Sequence, residues 1–292
     1  MAGDRLRARL GLNVPHGWWP APQLVKSFEA AGFAWAQVSS PPASVLASPR
    51  ECAAHARAAS SVLATTGMEL ILHGPTNLRA GHEAGDRAFE GLLAYAAECG
   101  ASQVVYHACD IAEGPGAEDS LLAETRSLAR LALRAERLGV TIAVENLCPV
   151  YPGPERLGHS PRVLRNLVRR LSSPAVGICL DLGHAHVVAD LRHADVPQLV
   201  SPVLDCVTLF HLHDNFGSRR AGGGSAGIDP LRLDLHLAPG RGSVDWSRVA
   251  GLVADHEAPL VLEVSPPQRP EPADLCRQTG RLLGQTAEHA SA

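Results

Sequence analysis

Residues 141–184 read TIAVENLCPVYPGPERLGHSPRVLRNLVRRLSSPAVGICLDLGH. TIAVE is a short run of β-branched and apolar residues, the composition of a buried strand. A connection rich in Pro and Gly follows. Ser160-Pro161 then opens VLRNLVRRL, whose apolar positions recur three and four apart, as on one face of a helix. GICLD is a second apolar run, so the stretch reads as strand, helix and strand, the βαβ unit of a parallel sheet. The same alternation extends in both directions, with candidate strands at 10–14, 34–38, 69–73, 103–107, 141–145, 177–181, 207–211 and 260–263. Between them, Ser48-Pro49-Arg50-Glu51 offers a capping box with Pro at the first helical position. Segments 86–99 and 120–138 have helical period and stop at Gly100 and Gly139. Eight strands with intervening helices predict a closed (β/α)8 TIM barrel, with an open doubly wound sheet as the alternative.

The 292 residues suit one such domain, and no shift of composition marks a linker. The expectation is therefore a single domain over 1–292, with a barrel core at about 10–265 and a C-terminal helix at 271–288. Segment 214–241 is the long loop, and loops of that length are functional or mobile. With 46% hydrophobic and 19% charged residues the chain has the composition of an ordinary folded protein. It has no run of about 18 apolar residues and no apolar h-region near its start, so a soluble, cytoplasmic protein without a membrane partner is expected. Seven scattered cysteines without a Cys-x-x-Cys pair read as reduced thiols. The net charge of -4 and a single lysine, Lys26, argue against affinity built on phosphate neutralisation.

What ends each strand is informative. Successive apolar runs end on His73, His107, Glu145, Asp181 (with His184 three residues on), His211 and Glu263. In a barrel these positions share the C-terminal rim, where active sites are built. A single strand-end His or Asp is more often a loop cap; six strands in series are not explained that way. Two carboxylates about 4 Å apart repel by roughly 4 kcal/mol at an effective dielectric near 20, so Glu145, Asp181 and Glu263 around one cavity call for a cation. Mixed His and carboxylate ligands suit Zn, Mn, Fe or Co better than Ca or Mg.

The blocks LILHGP, VVYHA, VTIAVENL, VGICLDLGHAH, LFHLHDN, DLHLAPGRGSVDW and LVLEVSP resemble the successive strand-end motifs of the xylose-isomerase-like TIM-barrel superfamily. This superfamily includes sugar and sugar-phosphate isomerases and epimerases and endonuclease IV-type AP endonucleases. The epimerase resemblance implies one divalent metal on Glu145, Asp181, His211 and Glu263. The two glutamates then act as acid and base in proton transfer through a metal-stabilised enediolate, and His184 contacts a substrate oxygen. The endonuclease resemblance implies a multi-metal cluster that also uses His73, His107, His184, Asp234 and His236 to hydrolyse a phosphodiester. Against that second reading, Gly-Pro-Thr-Asn after His73 lacks an aromatic wedge for entering a DNA stack. A related lyase, or a metal-binding barrel with neither activity, completes the alternatives.

His186 and His213 lie two residues past proposed ligands and are candidate substrate contacts, with hydrogen bonding to the ligands as the other reading. Trp18 and Trp19 are candidates for a pocket floor or for a subunit contact in a homo-oligomer. The expected partner is a small sugar-like substrate, with nucleic acid as the alternative. Gly240-Arg241-Gly242-Ser243 reads as a turn before a helix, with an anion site as the other reading. The dinucleotide and nucleophile-elbow patterns within 222–227 follow no strand and read as loop. His16, His55, His82, His159, His193, His256 and His289 read as ordinary surface or loop residues.

Overall fold

The structure, a computed structural model, describes residues 2–14, 22–150, 153–218, 233–254 and 256–289. Trp18, Trp19, His16 and the Gly-rich patterns in 222–227 lie outside the described residues. Eight parallel strands close into one barrel in chain order. They are β1 (Leu10–Asn13), β2 (Trp35–Ser39), β3 (Glu69–His73), β4 (Ala101–Tyr106), β5 (Thr141–Glu145), β6 (Val176–Asp181), β7 (Val207–Leu212) and β8 (Leu260–Leu262). The seam closes with Leu12 beside Leu262. The open doubly wound alternative is excluded.

Strand ends differ from the sequence expectation by one or two residues because the hydrogen-bonded ladder, not composition, sets them. β4 begins at Ala101, directly after Gly100 ends the helix Glu83–Cys99 in the left-handed conformation (φ 74°). Gly139 (φ 67°) ends the helix Ala117–Leu138 in the same way. The helix Pro161–Leu171 starts at the expected Ser-Pro, although the Ser160 hydroxyl makes no capping bond. The last helix spans Pro272–His289.

Side chains alternate across each strand. Leu70, Leu72, Val104, Ile142, Val144, Ile178, Leu180, Phe210 and Leu262 pack outward in the large core shared with the helices. Ile71, Val105, Ala143, Cys179, Leu209 and Val261, with Trp35 against them, form a separate apolar layer inside the barrel. Two residues further along each of these strands, the same inward face carries Gln37, His73, His107, Glu145, Asp181, His211 and Glu263. The apolar layer is thus a floor, and the polar residues form the rim above it.

Candidate metal centre

The rim residues fall into groups whose candidate ligand atoms lie within 4.8 Å of one another. In the first group, His73 Nε2 and His107 Nε2 each stand 3.3 Å from Glu145 Oε2. In the second, His211 Nδ1 lies 3.1 Å from Glu145 Oε1, 3.5 Å from Glu263 Oε1 and 3.8 Å from Asp181 Oδ2. The third gathers His184, His213, Asp234 and His236. Glu145 belongs to the first two groups and ties them together. Cys179 lies beneath Glu145 and His211. Burial and the carboxylates of Glu145, Asp181 and Glu263 push its thiol up, so it stays protonated.

Backbone carbonyls, which can only accept, fix the tautomers. His73 donates Nδ1–H to the Gly74 carbonyl (2.8 Å), His184 to the Asn146 carbonyl (2.8 Å) and His236 to the Glu263 carbonyl (2.8 Å). In each ring Nε2 is left to face the clusters. His211 is turned the other way: Nε2–H donates to Gln37 Oε1 (2.7 Å), leaving Nδ1 among the carboxylates. The Gln37 amide also donates to Glu263 Oε1. Asn146 grips Asp181 by its backbone, donating to the carbonyl (2.9 Å) and accepting from the N–H (2.8 Å). Such partners hold ligand rings in a usable orientation before any ion arrives.

Glu145 is 1% exposed, and Asp181 and His211 are 0% exposed. Burial pushes the Glu145 carboxyl up, but His211, His107 and His73 outweigh it and hold it well below the usual carboxylate range. Asp181 is likewise lowered, with His184 and His213 overcoming burial. Burial pushes the His73 imidazole down, yet Glu145 and Glu263 raise it to about 9, and Asp234 raises His236 to about 9 against the same penalty. Even so, Glu145 Oε2 and Asp181 Oδ2 are buried with imidazole nitrogens 3.3–3.8 Å away that do not meet hydrogen-bond geometry. Ionised oxygens left in that state are costly. A divalent ion among them removes the cost, and the donor set of imidazoles and carboxylates fits one.

The structure brings together Glu145, Asp181, His211, Glu263, His73, His107, His184, His213, Asp234 and His236. It does not bring His186 to the groups: His186 Nε2 pairs with the Ser243 hydroxyl (3.0 Å). Asp214 is fully buried and accepts from the backbone N–H of Gly240 (2.9 Å) and Val244 (3.1 Å) and from the Trp246 indole (2.9 Å). It organises the 240–244 turn. His159, expected on the surface, is 1% exposed and accepts the Arg156 N–H at 3.2 Å. Gln37 is the rim residue that sequence reasoning misses, although a Gln inside the apolar run WAQVS is itself a signal. A cavity of about 380 Å³ lies away from the rim, outside the barrel, between the helices Ala43–Leu46, Pro49–Leu63 and Glu83–Cys99.

A closed parallel barrel with titratable residues gathered at its C-terminal rim has the layout of a TIM-barrel enzyme. The sequence matches the xylose isomerase-like TIM barrel family over residues 25–283, and the chain belongs to that family. Among solved structures it is similar to a D-tagatose 3-epimerase-like protein (18% identity, TM-score 0.72, 97% of this chain and 100% of that chain). It is also similar to an L-ribulose 3-epimerase (14%, TM-score 0.69, 97% of each chain). A third is a protein from Thermus thermophilus, solved after soaking with ZnCl2 (20%, TM-score 0.67, 95% of this chain and 98% of that chain). A search of curated proteins gives no match.

Proposed function

We propose that the protein is a metal-dependent isomerase or epimerase, or a related lyase, acting on a sugar or sugar phosphate by proton transfer next to a carbonyl. The observation that carries this reading is the buried quartet of Glu145, Asp181, His211 and Glu263, whose ligand atoms converge within 4.8 Å and include oxygens without hydrogen bonds. A divalent ion held there would chelate neighbouring substrate oxygens and acidify the adjacent C–H. Glu263 is the quartet member with the most exposed side chain, so it is the group assigned to move a proton at the substrate carbon. Glu145 serves as the partner acid or base. Gln37, which donates to Glu263, holds that carboxylate in place. The 3-epimerases among the similar structures support a ketose-like substrate, and the absence of disulfides among the described cysteines supports a reducing, cytoplasmic setting.

The test is deuterium incorporation from D2O into a panel of ketoses, their phosphates and inososes, with Mn or Zn supplied. The expected result is exchange with a subset of the panel, abolished in Glu263→Gln with the fold intact. No exchange with any member under either metal refutes the assignment.

A second reading, phosphodiester hydrolysis, is favoured by the convergence of His73, His107, His184, Asp234 and His236 beside the quartet. It requires a polyanion partner and steep weakening of binding with salt. With net charge -4 and one lysine, the expected outcome is weak binding of an abasic duplex and no incision above a Glu145→Gln control. Efficient incision by the wild-type protein reverses the order of the two readings.

A further inference from the structure

The cavity of about 380 Å³ on the outer wall of the barrel exists because its walls carry small side chains. Ala53 and Ala56 on the helix Pro49–Leu63 and Gly91 and Ala94 on the helix Glu83–Cys99 line it, and residues this small leave unfilled space between two packed helices. Gly91 also takes the close approach of the helix Ala43–Leu46: a Cβ there would meet the Leu46 carbonyl oxygen at 1.9 Å. Leu46, Cys52, Ala56 and Tyr95, each 4% exposed or less, make an apolar floor. The Tyr95 hydroxyl is already paired with His55 Nδ1 at 2.9 Å. The volume lies within the range of about 300–1,000 Å³ that small-molecule sites occupy.

A charged group in this lining is left without a partner. Arg134, half-buried on the helix Ala117–Leu138, borders the cavity, and its guanidinium Nε is buried without a hydrogen bond. Among the described residues no carboxylate pairs with it. A buried donor of a cation left in that state is costly, and an acceptor brought into the cavity would relieve the cost. The other charged lining residues have no such need. Arg87 is paired with Glu83 at 3.0 Å, and Glu90 and Glu98 are exposed, where water solvates them. The uncompensated charge is therefore positive, and it stands beside an apolar floor.

We propose that this cavity binds a carboxylate amphiphile, a short acyl chain whose head pairs with Arg134 and whose tail covers Leu46, Cys52, Ala56 and Tyr95. A guanidinium takes a carboxylate through parallel N–H···O bonds, and Nε is one of the donors it can offer. One arginine balances one carboxylate. A phosphate monoester, with a charge of about -1.5 to -2, would leave excess negative charge beside Glu90 and Glu98. Each methylene that reaches the floor should tighten binding about fourfold. The site stands on the outer wall and shares no premise with the function proposed above.

The test is isothermal titration calorimetry of the full chain with octanoate, octanol and octyl phosphate, with circular dichroism confirming the fold of each variant. Octanoate should bind at least about tenfold more tightly than octanol, as a charge-assisted pair does, and more tightly than octyl phosphate. Arg134→Gln should bring octanoate down to the affinity of octanol and leave octanol unchanged. Ala53→Phe, which fills the cavity, should abolish the binding of both, whereas Glu145→Gln should bind octanoate as the wild-type protein does. No octanoate binding by the wild-type protein at about 10 mM, far above the micromolar range of a specific site, overturns the proposal. So does an octanoate affinity unchanged in Arg134→Gln, or one no better than that of octanol or octyl phosphate. Binding lost in Glu145→Gln but kept in Ala53→Phe places the carboxylate at the rim and overturns it as well. A wild-type dimer that Ala53→Phe dissociates gives the cavity to a second copy of the chain, with the same consequence.

Discussion

Gln37→Leu isolates the contribution of a residue that touches the quartet without being a ligand type. The Gln37 amide has one usable orientation: Oε1 accepts Nε2–H of His211 at 2.7 Å, and the amide nitrogen donates to Glu263 Oε1. Leucine keeps the approximate volume at a position that is 2% exposed but removes both bonds. With an ion among the carboxylates, His211 must keep its Nδ1 lone pair, so Nε2–H is obligatory and has no other acceptor in place. Without the ion the neutral ring can switch tautomer and donate Nδ1–H to Glu145 Oε1, 3.1 Å away, so that Nε2 carries no proton in need of an acceptor. The penalty therefore falls mainly on the loaded state. Leaving one buried donor unsatisfied costs about 1–3 kcal/mol, which is roughly a fivefold to 150-fold loss of metal affinity. Removing partners of metal ligands in other proteins costs roughly tenfold to a hundredfold, the same range. The assay is competition with a calibrated chelator, using zinc and manganese, with far-UV circular dichroism to confirm the fold. A shift below about threefold, with His211→Ala abolishing uptake in the same assay, would refute the role assigned to Gln37.

Two further outcomes follow from the rim electrostatics. Stripping the metal should lower the melting temperature by about 4–7 °C, because an ion present at 100 to 1,000 times its Kd contributes about 2.7–4.1 kcal/mol, against an unfolding entropy near 2.1 cal/mol/K per residue. An unchanged scanning-calorimetry trace after verified stripping counts against the site. The pH dependence should change form on loading. His73 and His236 are raised to about 9 in the metal-free protein, above the unfolded value near 6.5. Their contribution is complete below pH 6.5 and is lost as pH rises through 9. The loaded protein requires neutral imidazoles, so it should instead gain stability as pH rises through the unfolded value near 6.5 and stay level from there to about pH 9. Parallel slopes for stripped and loaded protein in melting curves from pH 6 to 9.5 contradict this.

Two histidines show where sequence reading succeeds and where it stops. Each lies two residues past a proposed ligand, His213 after His211 and His186 after His184, and each reads from the sequence as a candidate substrate contact. His211 is on a strand, where residues two apart share a face, so His213 stays on the inward side and reaches the third cluster. His184 is in the first turn of the helix Leu182–Leu191, where residues two apart point about 200° away from each other, so His186 turns from the rim to Ser243. The same period argument makes the barrel legible: polar residues recur two positions above Ile71, Val105, Ala143, Cys179, Leu209 and Val261, so the strand ends announce the rim. It extends to Gln37, which stands two positions above Trp35, but Gln37 lies inside its strand and belongs to no ligand type. The seating of His213 is out of reach, because it depends on Gly183, in the first turn of that helix, presenting a bare backbone to the imidazole, where a Cβ would meet the ring at 2.1–2.5 Å. That contact is set by how β6 and β7 lie side by side, with Asp181 opposite His211. Periodicity within a segment decides which side chains point inward; only the register between segments decides which of them meet.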